Sequence, residues 1–263
     1  MNALTVLLTS LMGLFSAVGA VPDEAIETGI RDQVNQVETL AVRTDMATNH
    51  QLLRGEIDRL RIAARGLYPL ADVRIDTLDV ETDVIDVNVD ELRKGDLVWD
   101  QPLQAAVNFV VTQADVEQAL RSPLVIEQLE AMNVELFGGI VGGMTQATLS
   151  DPQIRFLGND RILLGATLTQ DETGEQLEVE FITGMAIAQG TQLQFVEPAL
   201  TTNGVAFPPE LIAQLLDGFS QQYTLKMLEA QGITARLLAL EITEDAVQVA
   251  SFVRLESVDD EDY

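Results

Sequence analysis

The feature that most constrains the fold of this 263-residue chain is a set of strand-like segments whose apolar side chains change parity along the sequence. Within residues 72–89, the apolar residues Val73 and Ile75 occupy odd-numbered positions and Leu78 an even-numbered one. With Ile85 the apolar residues return to odd-numbered positions. Because neighbouring side chains of a strand point to opposite faces of a sheet, each change requires a bulge or a bend. The sequence therefore predicts long, strongly curved strands, a shape that can wrap around another element or a ligand.

The other periodic segments give an order of strands, helices, strands, one long helix and a final hairpin. Alternating apolar residues and turn signals predict strands over residues 37–43, 53–67, 72–89, 103–112, 153–157, 161–169, 176–188, 191–200, 233–242 and 246–255. Helical spacing and capping residues predict helices over residues 23–34, 116–120, 122–137 and 210–231. This order is typical of an α+β fold with antiparallel sheet, and it lacks the regular βαβ alternation of nucleotide-binding folds.

Two of these segments carry the strongest apolar faces and are the candidates for a groove that holds acyl chains. The candidate residues alternate along the strand over 176–188 or recur at helical spacing over 210–231: Leu177, Val179, Phe181, Met185, Leu211, Leu215, Phe219 and Met227. A dry core explains the same patterns, so the sequence alone leaves both interpretations open.

The charge balance limits the partners of the chain. It has 42 acidic and 15 basic residues, which gives a formal net charge of −27. Such a field repels phosphate backbones, so nucleic acid is excluded as an expected partner. Contact with an anionic bilayer would need an apolar surface or a local basic spot. The candidates for contact with a lipid headgroup are Arg54, Arg59, Arg61 and Arg65, and an ion-paired strand face is the alternative interpretation of these four residues.

Residues that could carry catalysis or bind a metal are scarce. The chain has no cysteine and one histidine, His50, in a polar segment without a nucleophile motif around it. The glycine-rich segment 138–143 lacks the Lys-Ser/Thr ending of a phosphate-binding loop. The acidic residues Asp79, Glu81, Asp83 and Asp86 are better explained as a solvated strand face than as a calcium site. We therefore expect no catalytic residue, no metal and no cofactor.

Both ends of the chain have a distinct composition. Residues 1–20 are apolar and uncharged, and Val18 and Ala20 stand where an export peptidase would cleave, although no basic residue precedes them. This segment is expected to be an export signal or an apolar anchor, with a first core helix as the alternative. Residues 21–257 are expected to form a single lipid-binding domain, and residues 258–263 an acidic disordered tail.

Four segments together resemble the LmeA-like phospholipid-binding family of bacterial envelope proteins, especially its cyanobacterial members. They are residues 51–67, 73–83, 156–166 and 208–232 with the hairpin that follows it, and the resemblance extends over nearly everything after residue 22. It implies an exported protein of the periplasm or cell envelope that binds phospholipid and makes transient contact with membranes. It also implies a long curved sheet wrapped around a long amphipathic helix, similar to tubular lipid-binding (TULIP-like) domains.

The expected function is therefore non-enzymatic binding, and possible transfer, of phospholipid in an apolar groove between sheet and helix. The alternative is a structural or protein-interaction module of the envelope with a dry core and no lipid cargo. Its protein partners cannot be named from the sequence.

Overall fold

The computed structural model describes residues 23–45, 55–92, 98–123, 125–126, 147–170, 173–212, 216 and 224–256. The predictions for residues 1–20, His50, Arg54, 138–143 and 258–263, and for most of 122–137, lie outside these residues. The described part of the chain is built mainly from antiparallel strands, arranged in a six-stranded sheet, a five-stranded sheet and one two-stranded ladder.

The first sheet has six strands and takes them from both ends of the described chain. Its strands, in spatial order, are β1 (Gln36–Asp45), β3 (Arg59–Leu70), β4 (Val73–Thr82), β6 (Leu103–Thr112), β13 (Ala246–Leu255) and β12 (Ile233–Ile242). The short strands β2 (Glu56–Ile57) and β5 (Ile85–Asp86) form the separate ladder. The inner face of the first sheet packs on helix α1 (Asp23–Gln33), whose Ile26 and Ile30 are fully buried in the main core.

The second sheet is a meander of five strands. It contains β7 (Ala147–Gly158), β8 (Arg161–Gln170), β9 (Gln176–Ala188), β10 (Gln192–Thr202) and the short β11 (Val205–Ala206). The helical elements with defined bounds are, besides α1, α2 (Val89–Leu92), α3 (Gln113–Ala119) and a 3₁₀ helix (Leu225–Gln231). The strands predicted over residues 103–112, 176–188, 233–242 and 246–255 have the same bounds in the structure.

The two sheets meet along the free edge of β12. The Leu237 N–H donates to the Gly190 carbonyl in the β9–β10 turn at 2.7 Å. Asp160, in the β7–β8 turn, donates its N–H to the Ile242 carbonyl at 3.1 Å and accepts the Ile242 N–H through Oδ1 at 2.8 Å. At the β7 edge of the second sheet, the Gln113 side chain donates to the Ile154 carbonyl and accepts the Phe156 N–H. These contacts satisfy polar groups at strand edges and fix the second sheet against the first.

The change of apolar parity predicted in β4 corresponds to a bend that crosses three strands together. Two rows of buried, cross-strand paired residues run over β1, β3 and β4, three positions apart on each strand: Val37–Leu67–Ile75 and Leu40–Ala64–Leu78. Because the parity changes on all three strands while the pairing continues through both rows, the sheet itself bends between them. Gly66 lies at this bend with φ +57.

Replacing Gly66 by alanine is expected to lower the free energy of unfolding by about 2 kcal/mol. The positive φ disfavours any L side chain, and the new Cβ would displace the half-exposed Glu38 carboxylate, which would lose the hydrogen bond that it accepts from Arg74 at 3.2 Å. Gly174→Ala is the matched control, since Gly174 has φ +70 and open space around it. Chemical denaturation should show a loss of only about 1 kcal/mol for the control, and an equal loss for both variants would contradict the role of Glu38.

The predicted fold class, α+β with a long sheet wrapped around a long amphipathic helix, is wrong. Neither large sheet is closed, and the longest helix among the elements with defined bounds is α1, with 11 residues. Within the predicted helix over residues 210–231, residues 210–212 and 216 are helical, but Thr224 is extended (φ −124, ψ 142) and caps the 3₁₀ helix that follows. The cause is a tertiary contact, since the Thr191 carbonyl accepts both the Leu225 N–H at 2.9 Å and the Thr224 hydroxyl at 3.4 Å.

Candidate functional site

The second sheet has one face that is apolar across four strands. On β9 the side chains of Leu177, Val179, Phe181, Met185 and Ile187 share this face with the buried Thr183, and the strand pairing continues it onto β7, β8 and β10. We call it the apolar face of the second sheet, and its further members are Leu149, Ile154, Phe156, Ile162, Leu164, Ala166, Leu168, Leu193, Phe195 and Leu200. Four of the predicted groove residues, those on β9, are thus brought together on one surface.

Burial on this face is uneven. At one end, Leu168, Val179 and Leu200 are buried in a small cluster with Ile212, against which Phe207 and Leu216 pack. Towards the β9–β10 turn, Met185 and Ile187 are only half-buried, and Leu193 is 41% exposed. Phe181 and Phe195 connect the two ends through an edge-to-face contact, with ring centroids 5.8 Å apart and an interplanar angle of 78°. The first end of the face is therefore part of a closed core, whereas the apolar side chains at the second end remain partly exposed.

The predicted groove residues from the 210–231 segment are not brought onto this face as one helical stripe. Leu211 and Met227 are 47% and 46% exposed, and Leu215 and Phe219 lie outside the described residues. The sequence reasoning also missed members of the face on β8 and β10, among them Leu164 and Leu193. Their signal was present in the alternation of the predicted strands 161–169 and 191–200.

A concave surface lies on the outer face of the first sheet, opposite α1. Its floor is a row of small or short side chains, one from each strand, in the order Ala41, Ala63, Asp79, Asn108, Ala250 and Ala239. Longer side chains stand beside this row, including Arg43, Arg61 and Glu81, and Leu238 stands at the β12 end with 63% exposure. The resulting trough has a volume of about 480 Å³, within the range of small-molecule sites.

Three of the predicted headgroup residues lie on this outer face, and each is ion-paired. Arg59 contacts Glu81 at 3.3 Å, Arg61 contacts Asp45 at 2.8 Å and Glu81 at 3.4 Å, and Arg65 contacts Asp79 at 2.7 Å. All three side chains are between 39% and 48% exposed, so these pairs contribute little to stability and can exchange partners. Arg54 lies outside the described residues, and the headgroup role of these arginines stays a prediction.

Among the described residues, no group of three or more carboxylates or histidines is placed to hold a metal ion. Asp79 and Glu81 face outward and pair with arginines, whereas Asp86 lies on the separate β2–β5 ladder. Burial, together with the nearby charges of Asp100 and Glu56, raises the pKa of Asp86. No helix in the described ranges is long and apolar enough to cross a bilayer.

The fold and these two surfaces define a β-rich protein with an apolar sheet face that the described core covers only in part. The family model described as LmeA-like phospholipid-binding matches residues 16–252, nearly the whole chain. The chain therefore belongs to the LmeA-like phospholipid-binding family, which confirms the resemblance found in the sequence. Comparisons with curated proteins and with solved structures gave no significant match.

Proposed function

We propose that this protein binds the acyl chains of phospholipids on the apolar face of the second sheet, at the end near the β9–β10 turn. The observation that carries the proposal is the uneven burial of this face in a member of a phospholipid-binding family. Leu168 and Val179 are 1% and 6% exposed, but Leu193 on the same face is 41% exposed. A partly exposed apolar surface beside a small closed cluster is suited to binding an apolar ligand.

The energetics favour retention of the lipid over selection among lipids. Each buried CH₂ group contributes about 0.8 kcal/mol relative to water, so an acyl chain is held strongly against escape into solvent. A lipid that moves from a bilayer to the face exchanges one apolar environment for another, so its net free energy changes little. This balance suits reversible exchange with membranes, and the proposed function therefore includes transfer.

We propose further that binding occurs without catalysis and in the cell envelope. Because the chain has one histidine and no cysteine, few of its residues could form the common nucleophile–base pairs of enzymes. The uncharged apolar residues 1–20 favour export or tethering to a membrane.

Native mass spectrometry of the purified chain, with lipid extraction from the same preparation, tests the proposal. We expect adducts of phospholipid mass that are lost on denaturation and recovered in the extract. A mass without adducts, unchanged after incubation with phospholipid vesicles, would overturn lipid binding and favour a dry interaction module.

A further inference from the structure

The two outer strands of the first sheet, β1 and β12, are covered in different ways. At β12 the covering groups belong to turns of the second sheet, such as the Gly190 carbonyl that accepts the Leu237 N–H. At β1, in the part of the chain that the structure describes, the groups bonded to the outer side of the backbone are side chains of α1. An uncovered outer strand presents N–H and carbonyl groups that can pair with a strand of another chain.

Two carboxylates of α1 cover backbone amides in the second half of β1. The Val42 N–H donates to Glu27 Oε1 at 3.2 Å. The Thr44 N–H donates to Asp23 Oδ1 at 3.1 Å, and the Thr44 hydroxyl donates to the same oxygen at 2.6 Å. Because alternate residues of a strand direct their backbone groups to the same side, both amides point away from β3. The carboxylates therefore occupy positions that the carbonyl groups of a partner strand would need.

The core holds α1 in this position. Ile26 and Ile30 are 0% and 1% exposed in the main core. Asp23 and Glu27 are also four residues apart, so they lie together on a neighbouring face of the same helix. One face of α1 thus anchors the helix under the first sheet, and the next face reaches the edge of β1. Removal of the two carboxylates would uncover the amides without removing this anchor.

We propose that α1 is an autoinhibitory cover, which keeps β1 from pairing with the β1 strand of a second copy of the chain. The strand is suited to antiparallel pairing about a two-fold axis at Ala41. In this register Leu40 of one copy faces Val42 of the other, and both are buried residues of the inner face. Arg43 faces Thr39, so no two like charges oppose each other. The Val42 N–H would then donate to the Leu40 carbonyl of the other copy, in place of the α1 carboxylate.

Sedimentation equilibrium of the full chain at about 0.15 M salt tests the proposal. The cover variant is D23A/E27A, and the matched control, E24A/D32A, removes two exposed carboxylates from the same helix. We expect the dimer dissociation constant of the cover variant to lie about 10-fold or more below that of the wild type and the control, because the Val42 N–H of each copy gains an interstrand hydrogen bond. Equal dissociation constants in the three proteins would overturn the proposal.

Two substitutions at Ala41, which is exposed on β1, show whether the dimer uses this strand. The chain has no cysteine, so Ala41→Cys in the cover variant supplies one thiol per copy. In the proposed register the two Cα atoms would be about 4.5 Å apart, within the range of disulfides, so oxidised glutathione should link the copies. Ala41→Lys in the same background opposes two like charges and should restore the monomer. A dimer that forms no disulfide, or that persists with Ala41→Lys, would contradict pairing through β1.

The single variants separate loss of the cover from loss of folding. Melting curves are recorded for every protein, and Asp23→Ala and Glu27→Ala each keep one covered amide if the double variant lacks a cooperative transition. Glu27→Ala should dimerise more strongly than Asp23→Ala, because it uncovers the Val42 N–H near the centre of the register. A Glu27→Ala variant that melts cooperatively and dimerises no more than the wild type would refute the role of α1 as a cover.

Discussion

Replacing Met185 by glutamate is expected to lower phospholipid occupancy by about 10-fold to 100-fold, because a carboxylate on the apolar face would be desolvated by the bound acyl chain. Met185 lies at the end of this face near the β9–β10 turn, paired with Phe195 across the β9–β10 ladder and half-buried. Occupancy is measured as the fraction of the protein that carries a lipid adduct in native mass spectrometry. The melting temperature is recorded in parallel, because a half-buried charge also costs stability.

A matched pair on β10 separates the binding effect from the charge and from misfolding. Leu193→Glu and Gln194→Glu add the same carboxylate at adjacent exposed positions, but Leu193 lies on the apolar face and Gln194 on the opposite one. We expect Leu193→Glu to reduce occupancy and Gln194→Glu to leave it unchanged, with similar melting temperatures for both. Equal occupancy in the two variants would place the lipid elsewhere and refute the assignment of this face.

Local signals predict most of the strands in this protein. The β7–β8 hairpin follows from Gly158, Asn159 and Asp160, which all have positive φ in the structure (72, 51 and 57), a conformation that these residue types tolerate. The cap of α3 is similarly local, since Thr112 and Asp115 form a capping box within three residues. The long helix over 210–231 fails as a prediction because the Thr191 carbonyl, 33 residues before Thr224, engages that residue in a contact that helical periodicity cannot reveal.

The two candidate surfaces also differ in how far the sequence predicts them. Alternation along one strand places Leu177, Val179, Phe181 and Met185 on one face, so four of the fifteen members of the apolar face follow from the sequence. The row of small residues in the trough was not, because it requires β13 and β12 to pair beside β6. Asn108 and Ala250 become neighbours although 142 positions separate them in the chain, and no local pattern encodes that adjacency.

Replacing Arg74 by methionine is expected to lower the free energy of unfolding by about 2–4 kcal/mol at neutral pH, because it leaves a buried carboxylate without its cation. Arg74 contacts Asp115 at 2.8 Å, Asp76 at 3.0 Å and Glu38 at 3.2 Å, and the Asp115 side chain is 5% exposed. Burial alone would raise the pKa of Asp115, but hydrogen bonds from Thr112 and Arg74 outweigh it and hold that pKa below its ordinary value. The stabilisation is thus present above the unfolded-state pKa of about 3.9 and is lost as the pH falls through the lower folded-state pKa.

Urea unfolding across pH distinguishes this mechanism from a simple loss of packing. Without Arg74, the pKa of Asp115 should rise from its lowered value, because only the hydrogen bonds from Thr112 still oppose the effect of burial. Protonation should then relieve part of the defect, so the loss caused by Arg74→Met should shrink as the pH falls through the pKa of Asp115 in the variant. The double variant Arg74→Met/Asp115→Asn should recover part of the lost stability at neutral pH, because the unpaired buried charge is gone. Arg59→Met, which breaks an exposed pair with Glu81, serves as the control and should cost under about 1 kcal/mol. A loss at Arg74 that is independent of pH and unrelieved by Asp115→Asn would mean that its aliphatic stem, not its charge, stabilises the contact between β4 and α3.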